Sequence, residues 1–113
     1  MQWLIVARDG TDEQAQGRRM AARAAHLENA AQLQAEGHLL VGGALLDDDG
    51  RMIGSACVAQ FETREELDAR LRNDPYITGN VWPDIQIMPH RVAPHYDFPP
   101  GPKAAPDPSR EQR

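Results

Sequence analysis

Four short runs of β-forming residues and two helical stretches follow one another as strand, helix, strand, strand, helix, strand. This order predicts an α+β domain with one four-stranded antiparallel sheet and both helices on one of its faces. Three observations carry the prediction. A stretch rich in Ala, Gln, Glu and Arg from Thr11 or Asp12 to Gly37 reads as one long helix. Two apolar runs on either side of Asp47-Asp48-Asp49-Gly50 read as a β-hairpin. Thr63 with Glu66 three residues on is a helix-start signature, in which hydroxyl and carboxylate satisfy each other's free amides.

Trp3 to Ala7 is a compact apolar run closed by Arg8-Asp9-Gly10, and it predicts a first strand buried on both faces. The long helix follows, with Gly17 dividing an irregular first turn from the main body and Gly37 closing the end. Steps of three and four link Met20, Arg23 or Ala24, Leu27, Ala31 and Leu33 into an apolar stripe. His26 shares a side of the same cylinder with Ala22, Ala30 and Leu33, which points its ring toward the boundary between helix and sheet.

His38 to Leu46 reads as the second strand, with Gly42-Gly43 removing two side chains where backbone or ligand must come close. Met52 to Phe61 is the third, and period two puts Ser55, Cys57 and Ala59 on one face and Gly54, Ala56 and Val58 on the other. The second helix runs from Arg64 to about Asn73. It stops at Asp74-Pro75-Tyr76, where proline biases Asp74 toward extended backbone. Ile77 to Asn80 reads as a turn and Val81 to Val92 as a last strand, at an edge or bulged because of Pro83 and Pro89. These elements give the ferredoxin-like βαββαβ arrangement over residues 1–92. Residues 93–113 hold six of the nine prolines and form an extension too poor in apolar surface to fold alone, in which His95, Tyr96 and Phe98 are free to pack on a neighbour.

One face of such a sheet has no covering layer, which predicts a homodimer with two sheets packed face to face. A domain of 113 residues buries about 60 to 65% of its unfolded surface and gains from such a partner. The formal charge of -5, with 12 Lys and Arg scattered among 17 acids, excludes the basic stripe that nucleic acid requires. Cys57 is the single cysteine, so no intrachain disulfide forms, and it reads as a small buried hydrophobe. The first residues lack the basic region and long apolar core of a signal peptide, and no apolar run reaches a membrane span. The expected setting is cytoplasmic, with no membrane partner.

The histidines His38, His90 and His95 match no zinc spacing, so no metal is expected. Gly42-Gly43 lacks the lysine and following helix of a phosphate loop, so close backbone packing is the expectation, and no cofactor is assigned. Ser55 lies in no nucleophile-elbow motif and reads as an orienting hydroxyl. Arg23, one turn before His26, is either a solvated helix arginine or a counter-charge for an anionic substrate. Tyr76 and Trp82 suit either the core or the wall of a pocket for a ring. On residue grounds alone a single histidine on a helix is more often structural, and an aspartate before proline is more often a turn or helix-end residue.

Arg23-Ala24-Ala25-His26-Leu27, Gly37-His38-Leu39-Leu40-Val41-Gly42-Gly43, Gly54-Ser55 and Asp74-Pro75-Tyr76, in that order, resemble the YCII-related (YciI-like) family of small bacterial proteins. The resemblance covers about residues 1 to 92. It implies a dimeric α+β barrel of ferredoxin-like subunits and a site in which a histidine pairs with an aspartate, roles that fall on His26 and Asp74, with Ser55 near them. One activity associated with the family is dehydrochlorination of a chlorinated hydroxyquinol-type ring. Ala44 stands where relatives commonly have proline, which affects the rim of the pocket.

The expected function is that of a cofactor-independent small-molecule enzyme of lyase, dehydrochlorinase, isomerase or hydrolase type. His26, oriented by Asp74, acts as general acid and base, while Ser55, Arg23, Gly43 and Tyr76 bind substrate. The alternative is a non-catalytic binding or accessory homodimer. An oxygen-using monooxygenase of the same barrel class is a third reading that no residue calls for.

Overall fold

The structure, a computed structural model, describes residues 1–97. The strands are β1 (Gln2–Arg8), β2 (Leu39–Leu46), β3 (Met52–Gln60) and β4 (Asp84–His90), and the helices are α1 (Ala15–Ala35), α2 (Arg64–Arg72) and the short α3 (Pro75–Thr78). The sheet order is β2-β3-β1-β4 with every pairing antiparallel, so the chain has the predicted ferredoxin-like arrangement. Register fixes the faces. Trp3, Ile5 and Ala7 of β1 lie beside Ala59, Cys57 and Ser55 of β3 and beside Pro89, Ile87 and Ile85 of β4. These side chains meet the helices: Trp3, Ile5, Ala59, Phe61 and Leu67 form the core, with Leu33, Cys57, Ile85 and Ile87 packed on it. Each large side chain so buried contributes about 1.5–3 kcal/mol.

β1 is not buried on both faces as its apolar run predicts. Trp3, Ile5 and Ala7 are buried, whereas Gln2, Leu4 and Val6 are half-buried. The second face belongs to the open side of the sheet, where Val41 is 53% and Met88 38% exposed. An apolar run signals two covered faces, and a single chain supplies only one cover.

Helix α1 begins at Ala15, three or four residues later than predicted, because residues 12–14 form a turn stapled by Asp12. Its carboxylate accepts from Gln14 N and from two Arg18 nitrogens. Gly17 does not divide the helix, which runs through it unbroken. At the far end Gly37 has φ of 82°, and Gly37 N and His38 N return to Gln34 O and Leu33 O, closing the last turn. The apolar stripe is also set differently from expectation. Met20 and Leu27 are exposed, and the inward side carries Ala15, Arg19, Ala22, Arg23, His26, Ala30 and Leu33. Arg19 can hold an inward position because Asp9 neutralises it.

The second strand begins at Leu39 rather than His38. Gly54 leaves room where β3 passes β1, since a Cβ there would run into the Ala7 carbonyl. Thr63 Oγ1 accepts from Glu66 N at 3.2 Å and starts α2 as its spacing predicts. Residues 77–80 are not a simple turn. Pro75 opens α3 at its first position, where its missing N–H is no loss, and Asp74 caps it. The last strand is shorter than Val81 to Val92 because Val81 N and Trp82 N are both spent on Tyr76 O. β4 lies at an edge, as its prolines predict. Phe98 and the extension from residue 98 onward lie outside the described residues, while His95 and Tyr96 rest on each other with ring centroids 4.3 Å apart.

Candidate active site at the helix–sheet cleft

Between α1, the α2–α3 corner and the β2–β3 side of the sheet lies a cavity of about 560 Å³, large enough for a small ring compound. His26 projects into it from the inward side of α1. Asp74 reaches the same place from the turn between α2 and α3, where φ of -65° and ψ of 132° give the extended backbone that Pro75 favours. Their contact, His26 Nδ1 to Asp74 Oδ1, is 2.8 Å. The carboxylate accepts and the ring donates, so Nδ1 carries the proton and Nε2 is left to give or take one. Asp74 Oδ1 also accepts from Tyr76 N at 2.8 Å, so the atom that fixes the imidazole caps α3 as well. The side chains of His26 and Asp74 are 17% and 9% exposed, which keeps bulk water from weakening the bond.

Aromatic rings hold the imidazole in place. Tyr76 stacks on it at 3.7 Å with an interplanar angle of 9°, and Trp82 meets it edge-on at 5.5 Å. Tyr76 is buried and also borders the cavity, so the core and pocket-wall readings of this residue are both met. Burial pushes the Tyr76 phenol above its ordinary value, the positive charges of Arg19 and Arg23 opposing that rise. Burial likewise pushes the Cys57 thiol up to about 12, with the negative charge of Asp74 adding to the effect. Cys57 is half-buried on the cavity floor, packed on the core but less covered than its type predicts.

Arg23 and Ser55 border the cavity, as do both Gly42 and Gly43. The glycines differ. Gly42 lies opposite Cys57, on the helix side, and a Cβ there would stand 3.2 Å from Cys57 Cβ, whereas a Cβ on Gly43 would enter open space. Of the pair, Gly42 is therefore the residue whose missing side chain clears the cavity floor, while Gly43 borders the cavity with its backbone. One residue escapes the sequence reading. Arg19, buried, pairs with Asp9 at 2.9 Å and touches Ser55 Oγ at 3.3 Å. Trp82 is, from its residue type, an aromatic of undecided role, and its indole nitrogen is buried without an acceptor. The available signal for Arg19 is its spacing, seven residues or about two turns before His26 on the same helical side. Among the described residues no group of three or more His, Cys, Asp or Glu side chains comes together that could hold a metal ion. No helix among them is long and apolar enough to cross a membrane.

A ferredoxin-like chain with an imidazole paired to a carboxylate on the wall of a cleft defines a class of small α+β proteins. Within that class the chain belongs to the YCII-related domain family, whose model matches residues 1–91. Protein YciI of Escherichia coli is 31% identical over 97 residues, spanning 80% of this chain and 97% of that protein. An uncharacterised protein of Haemophilus influenzae is 34% identical over 80 residues, 66% of this chain and 82% of its own. Among solved structures, 5-chloro-2-hydroxyhydroquinone dehydrochlorinase (TftG) of Burkholderia phenoliruptrix, in complex with 2,5-dihydroxybenzoquinone, superposes with a TM-score of 0.71. It is 27% identical, and the match covers 86% of this chain and 100% of that one. A dimeric ferredoxin-like protein of unknown function from Jannaschia shares the fold, with a TM-score of 0.50 and 18% identity over 80% of this chain and 98% of that one.

Proposed function

We propose that this chain is a cofactor-independent enzyme that moves a proton on a small oxygenated ring or enol, with elimination of halide as the leading reaction type and isomerisation or hydrolysis within reach of the same groups. The observation that carries the reading is the 2.8 Å bond from His26 Nδ1 to a buried carboxylate at the edge of a ring-sized cavity. The likeness to a dehydrochlorinase that binds a dihydroxyquinone supports the substrate class. In the elimination, His26 Nε2 takes a proton from the substrate and the electrons of that bond move into the ring system. The imidazolium returns a proton to the chlorine-bearing carbon, and from that saturated keto tautomer the loss of a second hydroxyl proton drives chloride out with the C–Cl pair, so the ring loses HCl and becomes a quinone. Asp74 stabilises the imidazolium that forms. Ser55 and Arg23 hold substrate oxygens, and Tyr76 with Gly42 and Gly43 shapes the walls.

His26→Ala should lower turnover of 5-chloro-2-hydroxyhydroquinone by about 10² to 10⁴-fold, the usual worth of a positioned acid–base group, with the fold intact by circular dichroism. Full activity in that variant would reject the role and leave the non-catalytic binder. The working unit in this reading is a cytoplasmic homodimer that covers the open sheet face bearing Leu4, Val6, Val41 and Met88. Sedimentation at micromolar concentration should give a dimer, and a monomer throughout would remove that part.

A further inference from the structure

Ser55 lies on β3 opposite Ala7, on the helix side of the sheet, and borders the cavity. Arg19 Nη2 donates to its Oγ at 3.3 Å. A hydroxyl that accepts from a guanidinium still has its own proton to give, and the adjacent positive charge strengthens that donation. Arg19 is fixed for this task. It is 3% exposed, its Nη1 is held by both Asp9 oxygens at 2.9 Å, and its guanidinium carbon stands 4.9 Å from the centre of the Tyr76 ring.

The surroundings are rich in donors. Two buried side-chain nitrogens among the described residues have no acceptor, Arg19 Nε and Trp82 Nε1, and both residues border this cavity. Arg23 borders it too, and no carboxylate among the described residues pairs with it. Of the nearby carboxylates, Asp9 is engaged by Arg19, and Asp74 Oδ1 already serves His26 and Tyr76 N.

We propose that this end of the cavity binds a negatively charged oxygen, a phenolate or enolate, through the Ser55 hydroxyl, and that Arg19 is the positioning residue that turns and polarises that hydroxyl. The inference rests on the acid–base reading of His26 and adds the form the site selects. The substrate is held as the anion of an acidic hydroxyl, beside the imidazole that handles its next proton.

The probe is 4-nitrophenol, whose ionisation is read directly from its visible absorbance. Bound to the full chain it should ionise at lower pH than it does free, with the anion preferred about tenfold over the acid. Ser55→Ala leaves the Arg19–Asp9 pair in place and should cut that preference to about threefold or less. Arg19→Met combined with Asp9→Leu removes both charges, so neither is stranded in the core, and should do the same. In the Ser55→Ala background the paired exchange should change nothing further, which a merely structural role for Arg19 would not produce. Arg19→Lys should recover part of the preference. No saturable binding, an unshifted or raised ionisation pH, or an undiminished preference in Ser55→Ala overturns the proposal. So does an Arg19–Asp9 effect that is as large without Ser55 as with it. His26→Ala should lose turnover but keep the anion preference, so failure of the acid–base role and failure of the oxyanion site give separate signatures.

Discussion

Two imidazoles border the same cavity, and each lies flat on an aromatic ring at an interplanar angle of 9°: His26 on Tyr76 at 3.7 Å, His38 on Phe61 at 4.1 Å. Each also sends Nδ1 to an oxygen, at 2.8 Å and 2.9 Å respectively. The oxygen makes the difference. His26 faces the Asp74 carboxylate, whereas His38 faces the backbone carbonyl of Gln60. A carbonyl sets the tautomer and the ring angle as well as a carboxylate does, but it brings no charge to balance an imidazolium. Stacking and tautomer control are therefore common to both rings, and under the proposed acid–base role the charge of the partner oxygen is what separates them.

The largest test of that contrast sets the two histidines against each other. Where His26→Ala loses about 10² to 10⁴-fold in turnover, His38→Ala should stay within about tenfold, measured on the same substrate. Comparable losses would mean that the partner oxygen is not what distinguishes them. Next in size, Asp74→Asn keeps an oxygen that can accept from Nδ1 and from Tyr76 N but removes the charge. Turnover should fall about 10²-fold while thermal stability changes little, and full activity in Asp74→Asn would show that charge is dispensable.

The smallest effect reads the same charge from the cavity floor. The Cys57 thiol, ordinarily near 9, is pushed up to about 12 by burial first and by Asp74 second. Ultraviolet titration of the thiolate should show this value fall in Asp74→Asn and stay put in His38→Ala. The sign for stability follows. Between about pH 9 and about pH 12 the unfolded chain releases a proton that the folded chain keeps, so folding weakens as pH rises through that window. Cys57→Ala should flatten that part of the stability profile.

Much of this is legible in the residues, and the misses have physical causes. The order of elements along the chain, the hairpin and the Thr63 cap follow from periodicity and turn chemistry, which are local. The meeting of His26 and Asp74 across 48 positions is not local, and it comes from the resemblance, not from spacing. Arg19 escapes because a charged side chain is counted as surface unless its partner is known, and Asp9 looks like part of a turn. Trp82 is legible as a pocket-wall aromatic, but its contact with His26 is not, because alternation carries the last strand back to Val81, whereas strand pairing starts at Asp84 and leaves the indole beside the imidazole. The run Trp3 to Ala7 promises too much burial because hydrophobicity reports the covers a strand wants, and one chain provides one of them.

The doubled duty of Asp74 Oδ1, holding a ring nitrogen and a helix-end amide with one lone-pair atom, bears on how relatives are compared. Selection for a well-formed corner would keep this aspartate even in a descendant that had abandoned chemistry. Its presence in a related sequence is thus poor testimony for activity. The imidazole on α1 caps no helix, and under the proposed acid–base role its replacement is the sounder sign that a relative no longer moves a proton.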